Sequence, residues 1–78
     1  MKNTAKYSVV FEKTSSEYSA HVPDLPGCIA AGADLGETQQ LIREAIEMHL
    51  AGMREDGDSI PQPTTITDYV SVPQDIAG

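Results

Sequence analysis

The stretch Val22-Pro23-Asp24-Leu25-Pro26-Gly27-Cys28 places the strongest backbone constraint on this chain of 78 residues. Proline fixes its own φ and keeps the preceding residue out of the helical region, so Val22 and Leu25 are expected to be extended. Pro26 and Gly27 suit the two central positions of a type II turn, because glycine tolerates a positive φ. The sequence therefore predicts a rigid corner between two strands, with Pro23, Pro26 and Gly27 as its structural residues.

Asp24 lies in the middle of this corner. It cannot close the usual two-residue Asx turn, because Pro26 has no backbone N–H. Its carboxylate could still reach the backbone amide of Gly27 or Cys28. A structural turn and a contact with a partner are both compatible with the corner, since rigid loops hold side chains in fixed positions.

Three strands are predicted around the corner. Residues 7–12 and 18–22 alternate between apolar and polar side chains, which is the period of a half-buried strand. The short loop between them predicts an antiparallel hairpin. Residues 28–31 form a third, short apolar run that stops at Gly32.

A helix over residues 35–56 is the best-marked element. Asp34 is a favourable N-cap, and Glu37 at the third helical position completes a capping-box pattern. Gly57 provides a C-terminal stop. Apolar side chains recur at three- and four-residue spacing and are expected to cover the sheet; the main members of this stripe are Leu41, Ile42, Ile46, Leu50 and Met53.

The chain after the helix predicts a fourth strand. Residues 60–63 read Ile-Pro-Gln-Pro and cannot be helical. Residues 66–72 are rich in β-branched side chains and precede Pro73, so they are predicted to be extended. The expected fold is a single α+β domain over residues 1–78, ordered from about 5 to 73, with two layers in β-β-β-α-β order and one helix on one face of the sheet. The fourth strand would run parallel to the first after a right-handed crossover.

Composition limits the classes of partner. The net charge is −7, from twelve acidic and five basic residues. This argues against direct nucleic-acid binding and favours, if a charged partner exists, a basic protein. The chain has one cysteine and two histidines without metal-ligand spacing, so neither a disulfide within the chain nor a metal or other cofactor is expected. No apolar run follows Met1, which predicts a cytoplasmic protein.

The order of strand, Pro-Asp-Leu-Pro-Gly-Cys corner, capped helix and Ile-Pro-x-Pro exit resembles the HicB family of antitoxins over about residues 6–63. The residues that carry the resemblance lie in 7–12, 22–28 and 42–47, together with Gly32, Asp34, Glu37, Gly57 and 60–63. The resemblance implies a partial RNase H-like fold, self-association as a homodimer or higher homo-oligomer, and no catalysis. It also implies binding of a HicA-type toxin, a small basic protein that cleaves mRNA, with occlusion of the toxin's active site. Many HicB proteins continue into a DNA-binding segment; only residues 74–78 follow the predicted fourth strand here, so this chain alone is not expected to bind an operator.

Two sets of residues are candidates for the contact with a toxin. Asp24 and Leu25 lie at the corner. Glu37, Glu44 and Glu47 lie on the acidic side of the helix. A row of acids is also typical of the solvated side of any surface helix, so both interpretations stay open.

Two catalytic alternatives and one binding alternative accompany the antitoxin hypothesis. A degenerate RNase H-like nuclease could draw on Glu12, Glu44 and Asp68 as metal-binding acids. Cys28 could act as a nucleophile with His21 or His49 as base, although a small buried strand cysteine explains it more simply. The third alternative is an orphan binding module that oligomerises and has no toxin partner.

Overall fold

A computed structural model describes residues 5–74 and contains three strands followed by one helix. The strands are β1 (Val10–Lys13), β2 (Tyr18–His21) and β3 (Ile29–Gly32), and the helix is α1 (Leu35–Glu55). The strands form one antiparallel sheet in the order β1-β2-β3. The predicted α+β class with one helix on a sheet is confirmed.

Register places one apolar residue from each strand on the face that the helix covers. Phe11 pairs with Ala20, and Ala20 pairs with Ala30. Helix α1 packs on this face and contacts β2 and β3. The resulting core is small, because only five apolar residues among 5–74 are buried, with Thr38 as a buried polar neighbour; the five are Ala20, Val22, Leu25, Cys28 and Ile42.

The corner between β2 and β3 forms as predicted. The amide of Cys28 donates to the carbonyl of Leu25 at 3.0 Å, and Gly27 has a φ of 86°, as the third position of a type II turn requires. A second turn precedes it, in which the amide of Leu25 donates to the carbonyl of Val22 at 3.0 Å. The amide of Val22 then donates to the carbonyl of Cys28 at 3.2 Å, so both ends of the corner are joined.

Both ends of α1 carry the predicted caps, with one difference in detail. The Asp34 carboxylate accepts the amide of Glu37 at 2.8 Å, while the Glu37 carboxylate accepts the amide of Ala33 at 2.6 Å. A standard capping box would return to the N-cap amide itself, one residue later. At the other end, Gly57 has a φ of 72° and Asp58 donates to the carbonyl of Met53 at 2.9 Å, which is a Schellman motif. The helix ends one residue earlier than predicted.

The predicted fourth strand over residues 66–72 is wrong for the single chain, because no strand is present after α1 in the described residues. Four large side chains of this segment are between 73% and 98% exposed: Ile66, Tyr69, Val70 and Val72. β-propensity expresses how a side chain fits a paired, half-buried surface, so it produces a strand only where the segment pairs with a sheet edge. Within residues 5–74, no sheet edge is paired with this segment.

The apolar stripe of α1 is also less buried than predicted. Ile42 is 3% exposed, but Leu41 is 36% exposed and Leu50 and Met53 are half-buried. The helix lies over β2 and β3 of a three-stranded sheet, which is too narrow to cover the whole stripe. Leu41 is therefore a surface residue and not part of the core.

Candidate partner-binding surfaces

The Asp24 carboxylate connects the corner to the chain that follows the helix. It accepts the backbone amides of Thr64 and Thr65 at 3.0 and 2.9 Å, and their hydroxyls at 3.2 and 2.8 Å. The hydrogen bond to this carboxylate from Gly27 or Cys28, considered from the sequence, is therefore a wrong prediction. The Cys28 amide already donates to Leu25 within the turn, whereas Thr64 and Thr65 supply four donors that the sequence order gives no reason to place there.

These donors favour the ionised form of Asp24. The hydrogen bonds from the backbone and then the side chain of Thr65 contribute most to lowering the pKa of the carboxyl below its ordinary value of 3.8, and those from Thr64 add to them. Partial burial acts in the opposite direction and does not overcome them. Asp24 is thus a charged anchor at neutral pH.

Two residues that lead into β1 hold the same segment. The Tyr7 hydroxyl donates to the carbonyl of Pro61, and the Ser8 hydroxyl donates to the carbonyl of Thr65 at 2.7 Å. We call residues 61–65 the anchor segment. Its hydrogen bonds join the start of the first strand, the corner and the chain beyond the helix into one unit.

The corner offers less to a partner than predicted. Leu25 has 0% of its surface exposed and lies in the core, so it cannot contact a partner in this structure. Asp24 is half-buried, with its carboxylate occupied by the anchor segment. The two residues are adjacent in sequence, but one closes the core and the other fixes a distant segment.

The acidic side of α1 is the more accessible surface. Glu37, Glu44 and Glu47 are all exposed. The carboxylate of Glu37 is engaged in the N-terminal cap, and that of Glu44 accepts, from the residues that the structure describes, only the side-chain amide of Gln40 at 3.2 Å. Glu44 and Glu47 therefore retain acceptor capacity for an incoming cation.

Two apolar residues accompany these acids and were not singled out in this role from the sequence. Met48 is 75% exposed and Leu41 is 36% exposed. Positions 41, 44 and 48 follow three- and four-residue spacing, so they lie on one face of the helix. We call Leu41, Glu44 and Met48 the helix ridge. The spacing was visible in the sequence, but the exposure of Leu41 depends on how far the sheet extends beneath it.

An open groove lies between the other side of α1 and the apolar face of the first strand. Its volume is about 830 Å³, and its walls include Tyr7, Val9, Phe11, Ile46 and Arg43. The groove exists because the helix packs on β2 and β3 and leaves the side chains of β1 partly uncovered.

The residues considered for catalysis are not arranged around a common site. Cys28 is 3% exposed, and desolvation by burial raises the pKa of its thiol, which disfavours the nucleophilic thiolate. Glu12 ends on the exposed side of β1, Glu44 lies on α1, and Asp68 lies in the exposed segment after the anchor. Within residues 5–74, no group of three or more histidine, cysteine, aspartate or glutamate side chains is placed to hold a metal ion.

A comparison with known protein families matches residues 7–76 to a family described as the HicB-like antitoxin of bacterial toxin–antitoxin systems. The chain belongs to this family. The match extends beyond the residues that suggested it in the sequence, because it includes the anchor segment and the exposed residues that follow it.

Three curated proteins are similar to this HicB-like chain. An uncharacterised 14.9 kDa protein of Haemophilus phage HP1 is 38% identical over 68 residues, which cover 87% of this chain and 51% of that protein. A UPF0150 protein of Helicobacter pylori is 39% identical over 49 residues, covering 63% and 68%. A UPF0150 protein of Archaeoglobus fulgidus is 38% identical over 58 residues, covering 70% and 84%. The HicB-like chain thus spans about half the length of the phage relative. In the described part of the chain, no helix combines the length and the apolar character needed to cross a membrane.

Proposed function

We propose that this HicB-like chain neutralises a small basic toxin of HicA type by binding it and occluding its mRNA-cleaving site. Membership of the antitoxin family, through a match over residues 7–76, is the observation that carries the proposal. The role needs no catalytic group of the antitoxin itself, because a bound protein excludes RNA from the toxin by occupying the same surface. We place this activity in the cytoplasm, where toxin and mRNA meet.

The surface chemistry supports a basic partner. The chain carries a net charge of −7, and the exposed acids of α1 concentrate part of this charge on one face. Complementary charge accelerates encounter and excludes wrong partners, while buried apolar contacts slow dissociation. The helix ridge offers a charge and apolar contact area together, since Met48 and Leu41 flank Glu44. We propose the ridge, together with Glu37 and Glu47, as the toxin contact.

Self-association accompanies this role in our proposal. The described part of the domain buries only five apolar residues, and β1 and β3 are both edge strands in its sheet. A small core and unpaired edges are commonly completed by a second copy. Whether operator DNA is bound through another chain or a further segment is independent of the toxin contact.

Co-expression tests the proposal directly. A small basic toxin of HicA type is expressed alone and together with the full chain, and growth is measured. Rescue of growth by the wild-type chain is the expected result. Continued growth arrest, with the chain present at matched levels, would overturn the antitoxin proposal and leave the orphan binding module. Cleavage of RNA by the purified chain with Mg²⁺ would instead support the nuclease.

A pair of charge-matched variants locates the contact. Glu44→Lys reverses a charge on the helix ridge, and Glu17→Lys makes the same change in the exposed loop of the β1–β2 hairpin. We expect Glu44→Lys to weaken toxin binding at least tenfold at low salt, with Glu17→Lys near wild type. Equal weakening by both variants would show that net charge, and not the ridge, determines binding.

A further inference from the structure

Residues 66–72, which we call the arm, do not pack on their own domain. Ile66 is 89% exposed, Tyr69 98%, Val70 82% and Val72 73%. The radius of gyration is 15.7 Å, against roughly 11 Å for a compact chain of this length, and the molecule is 55 Å long but only 27 and 23 Å across. An isolated chain therefore exposes four large apolar or aromatic side chains within seven residues to water, which marks an interaction surface.

The base of the arm is fixed while the arm itself is unpaired. Thr65 is the last residue of the anchor segment. Its amide and its hydroxyl donate to the Asp24 carboxylate, and its carbonyl accepts from the Ser8 hydroxyl. Ile66 follows immediately and is exposed. A tethered base sets where the arm leaves the domain, so it lowers the entropy cost of placing the arm on a neighbour.

The same molecule has an unfilled place for a strand. β1 is at one edge of the sheet, so its outer backbone groups lack a ladder partner within the described residues. The groove of about 830 Å³ runs along the apolar face of this edge and is walled by Val9, Phe11 and Ile46. A strand added beside β1 would direct alternate side chains into the groove.

We propose that the arm of one copy of this chain adds as a fourth strand to β1 of a second copy, with its apolar face in the groove. Each copy has one arm and one groove, so a two-fold dimer satisfies both reciprocally and leaves neither exposed. The inference rests on the proposed self-association and names the segment that performs it. It also explains why a sequence pattern typical of a strand is unpaired in the single chain.

The pattern of the arm fits this position. In an extended strand, residues 66, 68, 70 and 72 share one face, which presents Ile66, Val70 and Val72 together with Asp68. The groove wall contains one base, Arg43, and one acid, Glu47, which also borders the proposed toxin contact; the wall therefore carries no net charge although the whole chain is acidic. Arg43 supplies a counter-charge for Asp68 in the second copy.

The length of the arm also matches that of the first strand region, and the number of residues involved approaches that of a stable interface. Seven arm residues span roughly 23 Å as a strand, which is the length of residues 7–13 that form β1 and lead into it. The seven arm residues and the eleven groove residues of each copy approach the roughly 20–30 residues a side of a standard stable interface.

Sedimentation equilibrium of the full chain tests the proposal with a matched pair of variants. Val70→Asp places a charge on the groove face, and Ser71→Asp places the same charge on the opposite face of the arm. We expect a dimer for wild type and Ser71→Asp, and at least a hundredfold larger dissociation constant for Val70→Asp. Folding is not at risk, because both sites are exposed, and an unchanged helical circular dichroism spectrum checks it.

A dimer that survives Val70→Asp would overturn the arm exchange while leaving self-association and toxin binding intact. A wild-type monomer at 100 µM, a concentration that we choose for the experiment, would overturn both the exchange and the self-association. If such a monomer also lost toxin protection on Val70→Asp, the arm would be a toxin contact and the exchange would be wrong. Glu44→Lys should not change the dissociation constant of the dimer. A failure of the proposed toxin contact can therefore be distinguished from a failure of the arm exchange.

Paramagnetic relaxation locates the arm in the partner. A copy with Ser71→Cys carries a spin label, and it is mixed with an isotopically labelled wild-type copy; Cys28 is buried and stays unlabelled in the folded protein. We expect amide signals of Val10–Lys13 in the wild-type copy to broaden most. Broadening centred on β3 or on the helix ridge would contradict the proposal.

Discussion

The Asp24 carboxylate accepts both the amide and the hydroxyl of Thr65, 41 residues further along the chain, at 2.9 and 2.8 Å. This contact makes a corner that is built for local geometry into the anchor for the segment that follows the helix. Thr64 repeats the arrangement with its own amide and hydroxyl. The position from which the exposed arm leaves the domain therefore depends on a side chain between two prolines, together with the hydroxyls of Tyr7 and Ser8.

Replacing Asp24 with alanine should release the anchor segment without unfolding the sheet. The variant removes the acceptor for four donors, so the amides of Thr64 and Thr65 should lose most of their protection from hydrogen exchange. Thr65→Val is the matched partial change, because it removes the hydroxyl and keeps the amide. We expect the protection of the two amides to decrease from wild type to Thr65→Val and again to Asp24→Ala. Equal protection in all three would show that Tyr7 and Ser8 hold the segment alone.

The same contact should respond to acid. Because the pKa of Asp24 in the folded chain is below its ordinary value of 3.8, ionisation stabilises the anchored state above that value. This stabilisation is lost as the pH falls through the lowered pKa of the folded state. The amide chemical shifts of Thr64 and Thr65 should follow a single titration below pH 3.8. In Asp24→Asn the shifts should show no such step, and a step that persisted would identify another group as its source.

Gly32→Ala should destabilise the fold through a steric contact. A β-carbon at this position would lie 2.7 Å from the Thr38 hydroxyl and 3.0 Å from its amide. Thr38 is fully buried and its hydroxyl donates to the carbonyl of Asp34 at 2.8 Å, so it cannot move freely. We expect a loss of about 1–3 kcal/mol in the free energy of unfolding, measured with urea.

The control for this change is Gly52→Ala. An added β-carbon there meets nothing within 4 Å, and the site is in the interior of α1. Alanine should stabilise the helix by roughly 0.5–1 kcal/mol, because glycine loses more backbone entropy. Destabilisation by both variants would point to the backbone and not to the contact with Thr38.

Leu25→Ala should show that this residue acts in the core. Full burial predicts a loss of about 2–5 kcal/mol in unfolding free energy, which is a large share of the stability of so small a domain. Met48→Ala, at a site 75% exposed, should change it by about 0.5 kcal/mol or less. Met48→Ala should nevertheless weaken binding of the toxin that rescues growth in co-expression. A small effect of Leu25→Ala on stability would reopen its assignment as a contact residue.

Two variants at the N-terminal cap of α1 distinguish a structural role of Glu37 from a binding role. Asp34→Ala removes the acceptor of the Glu37 amide and should cost about 1 kcal/mol. Glu37→Gln keeps an oxygen for the Ala33 amide and removes the charge. Stability close to wild type with weaker toxin binding would place Glu37 in the contact, whereas unchanged binding would restrict it to the cap.

The local elements of this HicB-like chain are determined by its sequence. The two-residue alternation before and after the first loop specifies a hairpin, and Pro26-Gly27 specifies the turn that follows it. Asp34, Glu37 and Gly57 mark both ends of the helix to within one residue, because caps satisfy the orphan backbone groups of their own helix. Each of these features depends on neighbours within a few positions, so the sequence alone contains the information.

The tertiary structure decided the features that depend on distant or external partners. Asp24 binds Thr64 and Thr65 because the helix returns the chain to the corner, and a local reading of Asp24 could not show that. Leu25 is buried and Leu41 is not, since burial depends on where the helix crosses a three-stranded sheet. Residues 66–72 have the composition of a strand, but a strand needs an edge, and backbone groups pair only with an edge that is within reach. The sequence specifies that this segment can be a strand; the fold determines that it stays unpaired in the single chain, although β1 and β3 leave both edges of the described sheet open.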